Sequence, residues 1–336
     1  MNIAINGFGR IGRAAFKILS EKKGVNIVAV NDLGSLDNLG YLLKYDSVYG
    51  VWDKKIKIEK GCIVVGKKRT KALSERDPKK LPWKKLKIDV VIESTGVFTN
   101  LKGMSMHKKA GAKRVILSAP AKGEGVSTIV KGVNDNNHEG ESFVSNASCT
   151  TNCVAPVTSV IDEAFGIERA GLTTIHAYTS GQGLVDGPAP PRKTDFRRGR
   201  ASAVNMIPTT TGAAKATTLA IPELAGLFDG IAVRVPVTAG SLSDMTFLVK
   251  KKTTVEKVNN AIKKASRGKL KGILEYTEDQ LVSSDIVGTT ASAIVDLNFT
   301  RVVSEDFIKI LAWYDNEWAY ANRLAEMAVK LGKSAK

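Results

Sequence analysis

The first feature that could do chemistry is a glycine motif at the start of the chain. Gly7, Gly9 and Gly12 match the pattern G-x-G-x-x-G, and Asp32 follows 20 residues after the last glycine. The glycines permit a tight turn, a close approach of the backbone to a pyrophosphate and packing of a helix on a strand. A helix N-terminus attracts phosphate, and Asp32 can accept hydrogen bonds from ribose hydroxyls. The motif predicts a dinucleotide site that favours NAD over NADP; the alternative is a glycine-rich turn beside a solvated aspartate.

Two later segments fit the same predicted site. Ser94, Thr95 and Gly96 follow one apolar run, and Ser118 follows another. Ligands bind at the carboxyl ends of the strands in parallel sheets, so we expect these residues to contact the dinucleotide. The alternative is ordinary loop structure, and the spacing alone favours neither interpretation.

A cysteine at a predicted strand-to-helix junction is the candidate nucleophile. Cys149 lies among Ser, Thr and Asn residues at the start of a helix, where the partial positive charge favours a thiolate. A thiolate attacks carbonyl carbon. The alternative is a small buried apolar side chain. Cys153 lies one turn further on and is interpreted as structural, although it is near enough for an oxidised bridge, and Cys62 has no assigned role.

Three histidines are present, and one of them is a candidate partner for this thiol. His176 ends an apolar run, and an imidazole beside a thiol can activate it and later move protons. The alternative is a hydrogen-bonded histidine in the core. His107 and His138 lie in polar segments and are expected to be solvated. No metal-ligating set is predicted.

The elements that must position these residues change in character near Cys149. Before it, apolar runs alternate with helical patterns, which predicts βαβ units and a Rossmann-type, doubly wound parallel sheet. The predicted strands are residues 2–6, 25–30, 89–93, 114–118, 127–130 and 143–145. After it, longer alternating runs predict an α+β domain with a mixed or antiparallel sheet, at residues 171–177, 231–237, 244–250, 291–297 and 307–314. Helices are expected at residues 10–21, 254–266 and 317–331. The fold class is therefore α/β.

Length and composition limit the classes of protein. A chain of 336 residues with 43% hydrophobic and 25% charged residues favours a globular protein of two domains. We expect no targeting segment and no membrane span. Three cysteines do not form a disulfide framework and favour a reducing compartment, so a cytoplasmic location is predicted.

The net charge of +17 has two interpretations. It can reflect a solvated, lysine-rich surface, or it can attract an anionic partner such as phosphate, nucleotide or nucleic acid. The lysines are spread in short clusters without interleaved aromatic residues, which favours the solvated surface. Nucleic-acid binding remains the alternative function of a different class.

Five motifs in order resemble the phosphorylating glyceraldehyde-3-phosphate dehydrogenase family. They are residues 7–13, 148–153, 176–179, 208–215 and 313–318. The resemblance implies that Cys149 attacks the aldehyde of glyceraldehyde 3-phosphate to give a hemithioacetal, with His176 as general base. Hydride transfer would leave a thioester, which inorganic phosphate would cleave to 1,3-bisphosphoglycerate.

The same resemblance implies two anion sites and a set of cofactor contacts. Thr179 and Arg234 match the site for the phosphate of the substrate. The attacking phosphate would contact Ser148, Thr150, Arg198, Thr211 and Gly212. Besides the residues named above, cofactor contacts are expected at Arg10, Ile11, Arg76 and Asn316.

The resemblance also implies the domain organisation. Residues 1–148 and 316–336 would form the NAD-binding domain, and residues 149–315 the catalytic domain, with a long loop at about 178–201. The family implies a homotetramer. Erythrose-4-phosphate dehydrogenase, which shares the Cys–His pair, is the alternative enzyme, although the intact Thr211–Gly212 motif favours the first.

The chain departs from the family pattern after Thr179. Ser180, Gly181 and Gln182 stand where the family commonly has Asn-Asp-Gln, so an acidic partner of the substrate-phosphate site is missing. Residues 186–192 also differ, and Gly187 replaces a leucine that blocks a 2′-phosphate in many NAD-specific members. Asp32 and Pro188 still favour NAD, but the departure leaves use of NADP open.

Overall fold

The computed structural model describes residues 1–137, 140–189 and 195–334. The chain divides into two compact units. Unit 1 comprises Met1–Ile129, Asn136–Ala147 and Ala321–Lys336, and unit 2 comprises Val130–Asp135 and Ser148–Tyr320. The prediction for His138 and those for residues 190–192 of the altered loop lie outside the described residues.

The helices and strands follow in chain order. The helices are α1 (Arg10–Ser20), α2 (Leu36–Lys44), α3 (Leu101–Lys109), α4 (Cys149–Phe165), α5 (Ala213–Ala220), α6 (Val255–Arg267) and α7 (Trp318–Lys333). The strands before α4 are β1 (Asn2–Asn6), β2 (Asn26–Asn31), β3 (Tyr45–Asp46), β4 (Gly50–Val51), β5 (Ile56–Glu59), β6 (Cys62–Val65), β7 (Lys68–Leu73), β8 (Val90–Glu93), β9 (Arg114–Leu117), β10 (Ser127–Thr128) and β11 (Phe143–Ser145). Those after it are β12 (Ile167–Ala177), β13 (Ile207–Thr210), β14 (Phe228–Val235), β15 (Ser241–Val249), β16 (Leu274–Thr277), β17 (Ala293–Val303) and β18 (Phe307–Tyr314).

Unit 1 is built on a nine-stranded sheet with the order β10-β11-β9-β8-β1-β2-β7-β6-β5. The strands from β10 to β7 pair in parallel, and β6 and β5 add an antiparallel edge. The chain leaves β1 towards β2 and β7 and later returns to the other side of β1 at β8. This reversal creates a topological switch point between β1 and β8, which is where parallel sheets bind ligands. The predicted parallel domain is confirmed.

Close packing at the glycine motif brings α1 against β1. A side-chain carbon added at Gly12 would lie 2.1 Å from the Gly7 carbonyl oxygen, so only glycine permits this approach. Gly7 has a φ of +93°, which disfavours other residues. Ile3, Ile5, Ala15 and Leu19 are fully buried in the core beneath this junction.

Unit 2 contains a seven-stranded mixed sheet with the order β13-β14-β12-β15-β18-β17-β16. β12 pairs in parallel with β14 and antiparallel with β15, and its register places His176 opposite Arg234. α4 covers this sheet with the buried side chains of Val154, Val157 and Ile161. The prediction of a mixed sheet is confirmed, and the register of β12 and β14 positions the candidate site.

Helix length and polarity bear on membrane insertion. Across the ranges that the structure describes, none of the helices is both long enough and apolar enough to traverse a lipid bilayer.

Candidate active site and dinucleotide site

The start of α1 in unit 1 offers backbone groups to an anion. Gly9 is the N-cap of this helix and has no side chain to bond to its first turn, and no acidic residue lies in that turn. Among the described residues, no atom lies within 4 Å of a side-chain carbon added at Gly9, so they leave the space beside this backbone open to a ligand. Uncapped N–H groups and the helix dipole together favour a phosphate here.

Asp32 follows β2 and is fixed by the backbone around the glycine turn. Its carboxylate accepts hydrogen bonds from the Phe8 amide at 2.7 Å and from the Gly34 amide at 2.9 Å. The residue remains partly exposed. A fixed, accessible carboxylate beside the turn suits a ribose with free hydroxyls and opposes a 2′-phosphate.

Other predicted cofactor residues lie at the carboxyl ends of neighbouring strands. Ser94, Thr95 and Gly96 follow β8, Ser118 follows β9, and Arg76 is exposed in the segment after β7. The Ser94 hydroxyl donates to the Gly7 carbonyl at 2.7 Å. The loop after β8 therefore touches the glycine turn.

The side chains of Arg10 and Ile11 have partners within unit 1. Arg10 forms an ion pair with Asp46 at 2.9 Å, and its guanidinium lies 5.6 Å from the centre of the Tyr49 ring. Ile11 packs against the apolar core. Sequence reasoning did not identify Asp46, because no pattern links it to Arg10.

Cys149 is the first residue of α4 in unit 2. Ser148 caps this helix, and its hydroxyl accepts a hydrogen bond from the Thr151 amide at 3.0 Å. The preceding residue, Ala147, has a φ of +54°, an uncommon value for a residue with a side chain. Strain of this kind is typical of the turn before a nucleophile.

His176 lies close to the thiol at the end of β12. Its Nε2 is 3.4 Å from the Cys149 sulfur, and its Nδ1 is 2.6 Å from the Ala177 carbonyl oxygen. Arg234 on β14 donates to the same carbonyl at 3.0 Å, and its Nη1 lies 2.6 Å from Nδ1. With hydrogen on Nδ1, His176 donates to this carbonyl and the Nε2 lone pair is directed at the sulfur. In the other tautomer, Nδ1 accepts from the Arg234 guanidinium.

Burial and charge act on both members of this pair. Burial raises the pKa of the Cys149 thiol, against the effect of the positive charge on Arg234. Burial also lowers the pKa of His176 to about 3, and Arg234 acts in the same direction. The helix start favours a thiolate, as the sequence predicted, whereas burial favours the neutral thiol. A neutral imidazole remains free to accept a proton.

The residues expected to bind phosphate lie on several elements of unit 2. The charges of Arg234 and Arg198 both lower the pKa of His176, so both cations lie near the imidazole. Arg198 donates from Nε to the Thr209 hydroxyl at 3.1 Å. Thr211 accepts from the Ala213 amide at 3.2 Å, and Gly212 begins α5 with open space in place of a side chain.

Two residues that are predicted to bind phosphate have hydroxyls that already form hydrogen bonds within the protein. The Thr150 hydroxyl lies 2.9 Å from that of Tyr314, which also bonds to Thr174 at 2.8 Å. The Ser148 hydroxyl caps α4. Tyr314 is buried, and its ring meets the edge of the His176 ring, with centroids 5.9 Å apart. Tyr314 lies in the motif at residues 313–318, but its contact with Thr150 was not predictable from spacing.

Thr179 and Asn316 are placed by backbone contacts. The Thr179 amide lies 3.4 Å from Gln182 Oε1, and the Gln182 amide donates to the Thr179 carbonyl. Asn316 is buried in unit 2, where its Oδ1 accepts from the Gly240 amide and the Ser241 hydroxyl. These bonds fix the orientation of the Asn316 amide.

The expectation for His107 is wrong. This residue lies in α3, is fully buried, and contacts Glu93 at 2.9 Å and Trp83 at 3.0 Å. Its neighbours in sequence are polar, but its partners come from distant segments, which the local pattern does not reveal.

Comparison with known proteins agrees with this geometry. Residues 1–101 match the model of the NAD binding domain of glyceraldehyde 3-phosphate dehydrogenase, and residues 148–316 match the model of its C-terminal domain. The chain belongs to the glyceraldehyde-3-phosphate dehydrogenase family. A glyceraldehyde-3-phosphate dehydrogenase of Borreliella burgdorferi is 53% identical over 99% of this chain and 100% of the relative. One of Streptomyces coelicolor is 50% identical over 99% and 98%, and one of Mycobacterium avium is 48% identical over 99% and 99%.

Membership of the glyceraldehyde-3-phosphate dehydrogenase family agrees with the chemistry of unit 1. Open space at Gly9, an uncapped helix start and a fixed Asp32 carboxylate fit a dinucleotide without a 2′-phosphate. The resemblance inferred from the five motifs is confirmed, and so is NAD as the cofactor.

Proposed function

We propose that this chain oxidises and phosphorylates glyceraldehyde 3-phosphate, with Cys149 as nucleophile and His176 as general base. The observation that carries the proposal is the 3.4 Å separation of Cys149 Sγ and His176 Nε2 at the start of α4. In a neutral pair, the imidazole takes the thiol proton as the sulfur bonds to the aldehyde carbon. The imidazole then gives this proton to the former carbonyl oxygen, so the product is a neutral hemithioacetal on Cys149 and His176 is neutral again.

His176 then acts on the hydroxyl of that hemithioacetal. It accepts the hydroxyl proton while the carbon loses hydride, and a thioester remains on Cys149. NAD, when bound, supplies the acceptor for this hydride. Inorganic phosphate attacks the thioester carbon, the carbon–sulfur bond breaks, and 1,3-bisphosphoglycerate leaves. The released thiolate takes the proton that His176 holds, which restores the thiol and the neutral imidazole.

Two cations support the anionic groups that this reaction needs. Arg234 lies beside His176, and Arg198 contributes a second positive charge that acts on the same imidazole. We assign Thr179 and Arg234 to the phosphate of the substrate. Arg198, Thr211, Gly212, Ser148 and Thr150 would surround the attacking phosphate, and Ser148 and Thr150 would do so after exchanging the partners of their hydroxyls.

Gly7, Gly9, Arg10, Ile11 and Gly12 are proposed to hold the pyrophosphate of NAD, and Asp32 its adenosine ribose. The remaining proposed contacts are Arg76, Ser94, Thr95, Gly96, Ser118 and Asn316. Both oxygens of Asp32 accept backbone hydrogen bonds, which fixes the carboxylate against a 2′-phosphate. Gly187 leaves open space, with the Val185 oxygen 4.0 Å from its added side-chain carbon, so some turnover with NADP is compatible with the chain.

Steady-state kinetics test this function most simply. Formation of NADH from glyceraldehyde 3-phosphate is expected to depend on inorganic phosphate, and the kcat/KM with NAD to exceed that with NADP. Activity that ignores phosphate and prefers erythrose 4-phosphate would overturn the proposed substrate.

We also propose a cytoplasmic homotetramer. Five large apolar side chains of unit 2 are more than 70% exposed, and a partner subunit would bury them; they are Leu184, Val185, Phe196, Val204 and Met206. The three free cysteines support a reducing compartment. Sedimentation of the purified chain should give four times the mass of 36.1 kDa, and a monomer would contradict the assembly.

A further inference from the structure

A row of buried polar side chains crosses the sheet of unit 1 at its carboxyl edge. It runs over the adjacent strands β8, β1 and β2 to the segment after β7, and it contains Glu93, Asn6 and Asn31. Asn6 Nδ2 donates to Glu93 Oε2 at 2.6 Å, and Asn31 Nδ2 donates to Asn6 Oδ1 at 2.7 Å. Asn31 also accepts from the Glu75 amide and donates to the Glu75 carbonyl, both at 2.8 Å. We call this row the polar relay.

The Glu93 carboxylate is the centre of the polar relay. It is fully buried and accepts four hydrogen bonds. Oε2 accepts from Asn6 and from His107 Nε2, and Oε1 accepts from the Thr95 amide at 2.8 Å and the Thr95 hydroxyl at 2.5 Å. Four donors match the capacity of an ionised carboxylate. Within the described residues, Glu93 forms an ion pair with no lysine or arginine.

The groups at the two ends of the polar relay determine which atom donates and which accepts in each of its hydrogen bonds. The Trp83 indole can only donate, and it donates to His107 Nδ1 at 3.0 Å. Since Nδ1 accepts, the hydrogen of this neutral imidazole lies on Nε2 and points to Glu93. At the other end, the Glu75 amide fixes the orientation of Asn31, and Asn31 in turn directs the Asn6 amide nitrogen towards Glu93. The donors that reach Glu93 from both ends of the polar relay therefore require a side chain at position 93 that only accepts hydrogen bonds.

The polar relay holds the loop that touches the glycine turn. Thr95 is tied to Glu93 through both its amide and its hydroxyl. A side-chain carbon at Gly7 would lie 2.6 Å from the Thr95 nitrogen, so the turn and the loop are in direct contact. A shift of Thr95 would change the space available beside Gly7 and Gly9.

We propose that Glu93 is a positioning residue for NAD, which keeps Thr95 and Gly96 in place against the glycine turn through an acceptor-only carboxylate. The inference rests on the proposed function of unit 1. It assigns no contact between Glu93 and the cofactor, since the side chain is fully buried.

Glu93→Gln tests the proposal because glutamine has nearly the same shape as glutamate but carries a donor nitrogen in place of one acceptor oxygen. The amide nitrogen of glutamine would face either Asn6 and His107 or Thr95, and in both cases donors would face donors. We expect the Kd for NAD, measured by calorimetry on the purified chain, to rise about tenfold. The KM for glyceraldehyde 3-phosphate and the alkylation rate of Cys149 should stay unchanged.

Trp83→Phe is a second variant that acts at the far end of the polar relay. It removes the indole donor and frees His107 to exchange tautomers, without altering the loop after β8. The expected rise in the Kd for NAD is smaller, about threefold. This variant keeps the proposal testable if Glu93→Gln does not fold.

Thr70→Val is the matched control. Thr70 is buried in β7 and bonds to the Ile27 carbonyl at 2.8 Å, in the same sheet but outside the polar relay. It should lower the melting temperature and leave the Kd for NAD unchanged. Folded Glu93→Gln and Trp83→Phe with native affinity would overturn the positioning role. A native chain that does not bind NAD would instead contradict the proposed function.

Discussion

The two units begin their functional helices in different ways. α1 of unit 1 starts at Gly9, which has no side chain to cap the helix. α4 of unit 2 starts at Ser148, whose hydroxyl bonds to the Thr151 amide, and its first residue is the candidate nucleophile. The proposed NAD site of unit 1 thus relies on backbone groups and on space beside glycines, whereas the proposed chemistry of unit 2 relies on side chains. Substitutions should therefore separate binding from chemistry.

The net charge of the chain is divided unequally between the two units. Lys and Arg number 30 against 14 Asp and Glu in unit 1, and 20 against 19 in unit 2. Nearly the whole excess of +17 thus belongs to unit 1. Long-range attraction of an anion, whether a dinucleotide or a nucleic acid, is therefore stronger at unit 1, and salt will weaken it.

The largest expected effect is that of Cys149→Ser. An alcohol with an ordinary pKa is a far weaker nucleophile than a thiol, so kcat should fall by more than about a thousandfold. Calorimetry should show an unchanged Kd for NAD, because unit 1 is untouched. Residual turnover near the native rate would remove Cys149 from the mechanism.

His176→Asn should come next. It removes the proton acceptor 3.4 Å from the sulfur, and general-base catalysis is worth about a hundredfold or more. We expect slower NADH formation and slower alkylation of Cys149 by iodoacetamide, measured by stopped flow and mass spectrometry. Unchanged alkylation kinetics would mean that another group activates the thiol.

A pair of glycine substitutions in unit 1 compares the space at Gly12, which other protein atoms fill, with the space at Gly9, which is open to a ligand. Gly12→Ala forces a carbon to within 2.1 Å of the Gly7 carbonyl oxygen and should cost about 3 kcal/mol of unfolding free energy. Gly9→Ala adds a carbon with no neighbour within 4 Å among the described residues, so it should leave stability unchanged and raise the KM for NAD. Equal effects of both on denaturant unfolding would contradict this description of the turn.

Acid should destabilise unit 2 through His176. The unfolded chain binds a proton to this imidazole below pH 6.5, whereas the folded chain does so only near pH 3. The folded state therefore loses about 2 kcal/mol between pH 7 and pH 5 from this group. Urea unfolding of His176→Asn should show a flatter dependence on pH than the native chain, and parallel curves would contradict the lowered pKa.

Local patterns predicted much of unit 1. The glycine motif and Asp32 lie within 26 residues of one another, and adjacent turns and strands dictate their geometry. The prediction that a helix starts at Cys149 also rested on residues that are adjacent in sequence. Apolar runs between helical patterns predicted a parallel sheet in unit 1, although not its strands β5, β6 and β7. Longer runs of alternating apolar residues predicted a mixed or antiparallel sheet in unit 2, and the sheet is mixed.

Long-range pairings were not predictable in the same way. The contact of His176 with Arg234 depends on the register of β12 and β14, and the bond of Thr150 to Tyr314 joins residues 164 positions apart. His107 was expected in solvent because its neighbours are polar, yet Glu93 and Trp83 bury it. Burial also opposes the thiolate at Cys149, an effect that depends on packing and not on the helix start alone.

A single turnover without phosphate tests most directly whether Cys149 is the nucleophile that carries the thioester. The native chain is mixed with NAD and glyceraldehyde 3-phosphate, quenched in acid and digested for mass spectrometry. If Cys149 is the nucleophile, one NADH forms per active site and the thioester lies on the peptide that contains Cys149. An adduct on another residue, or NADH formation without any adduct, would contradict it.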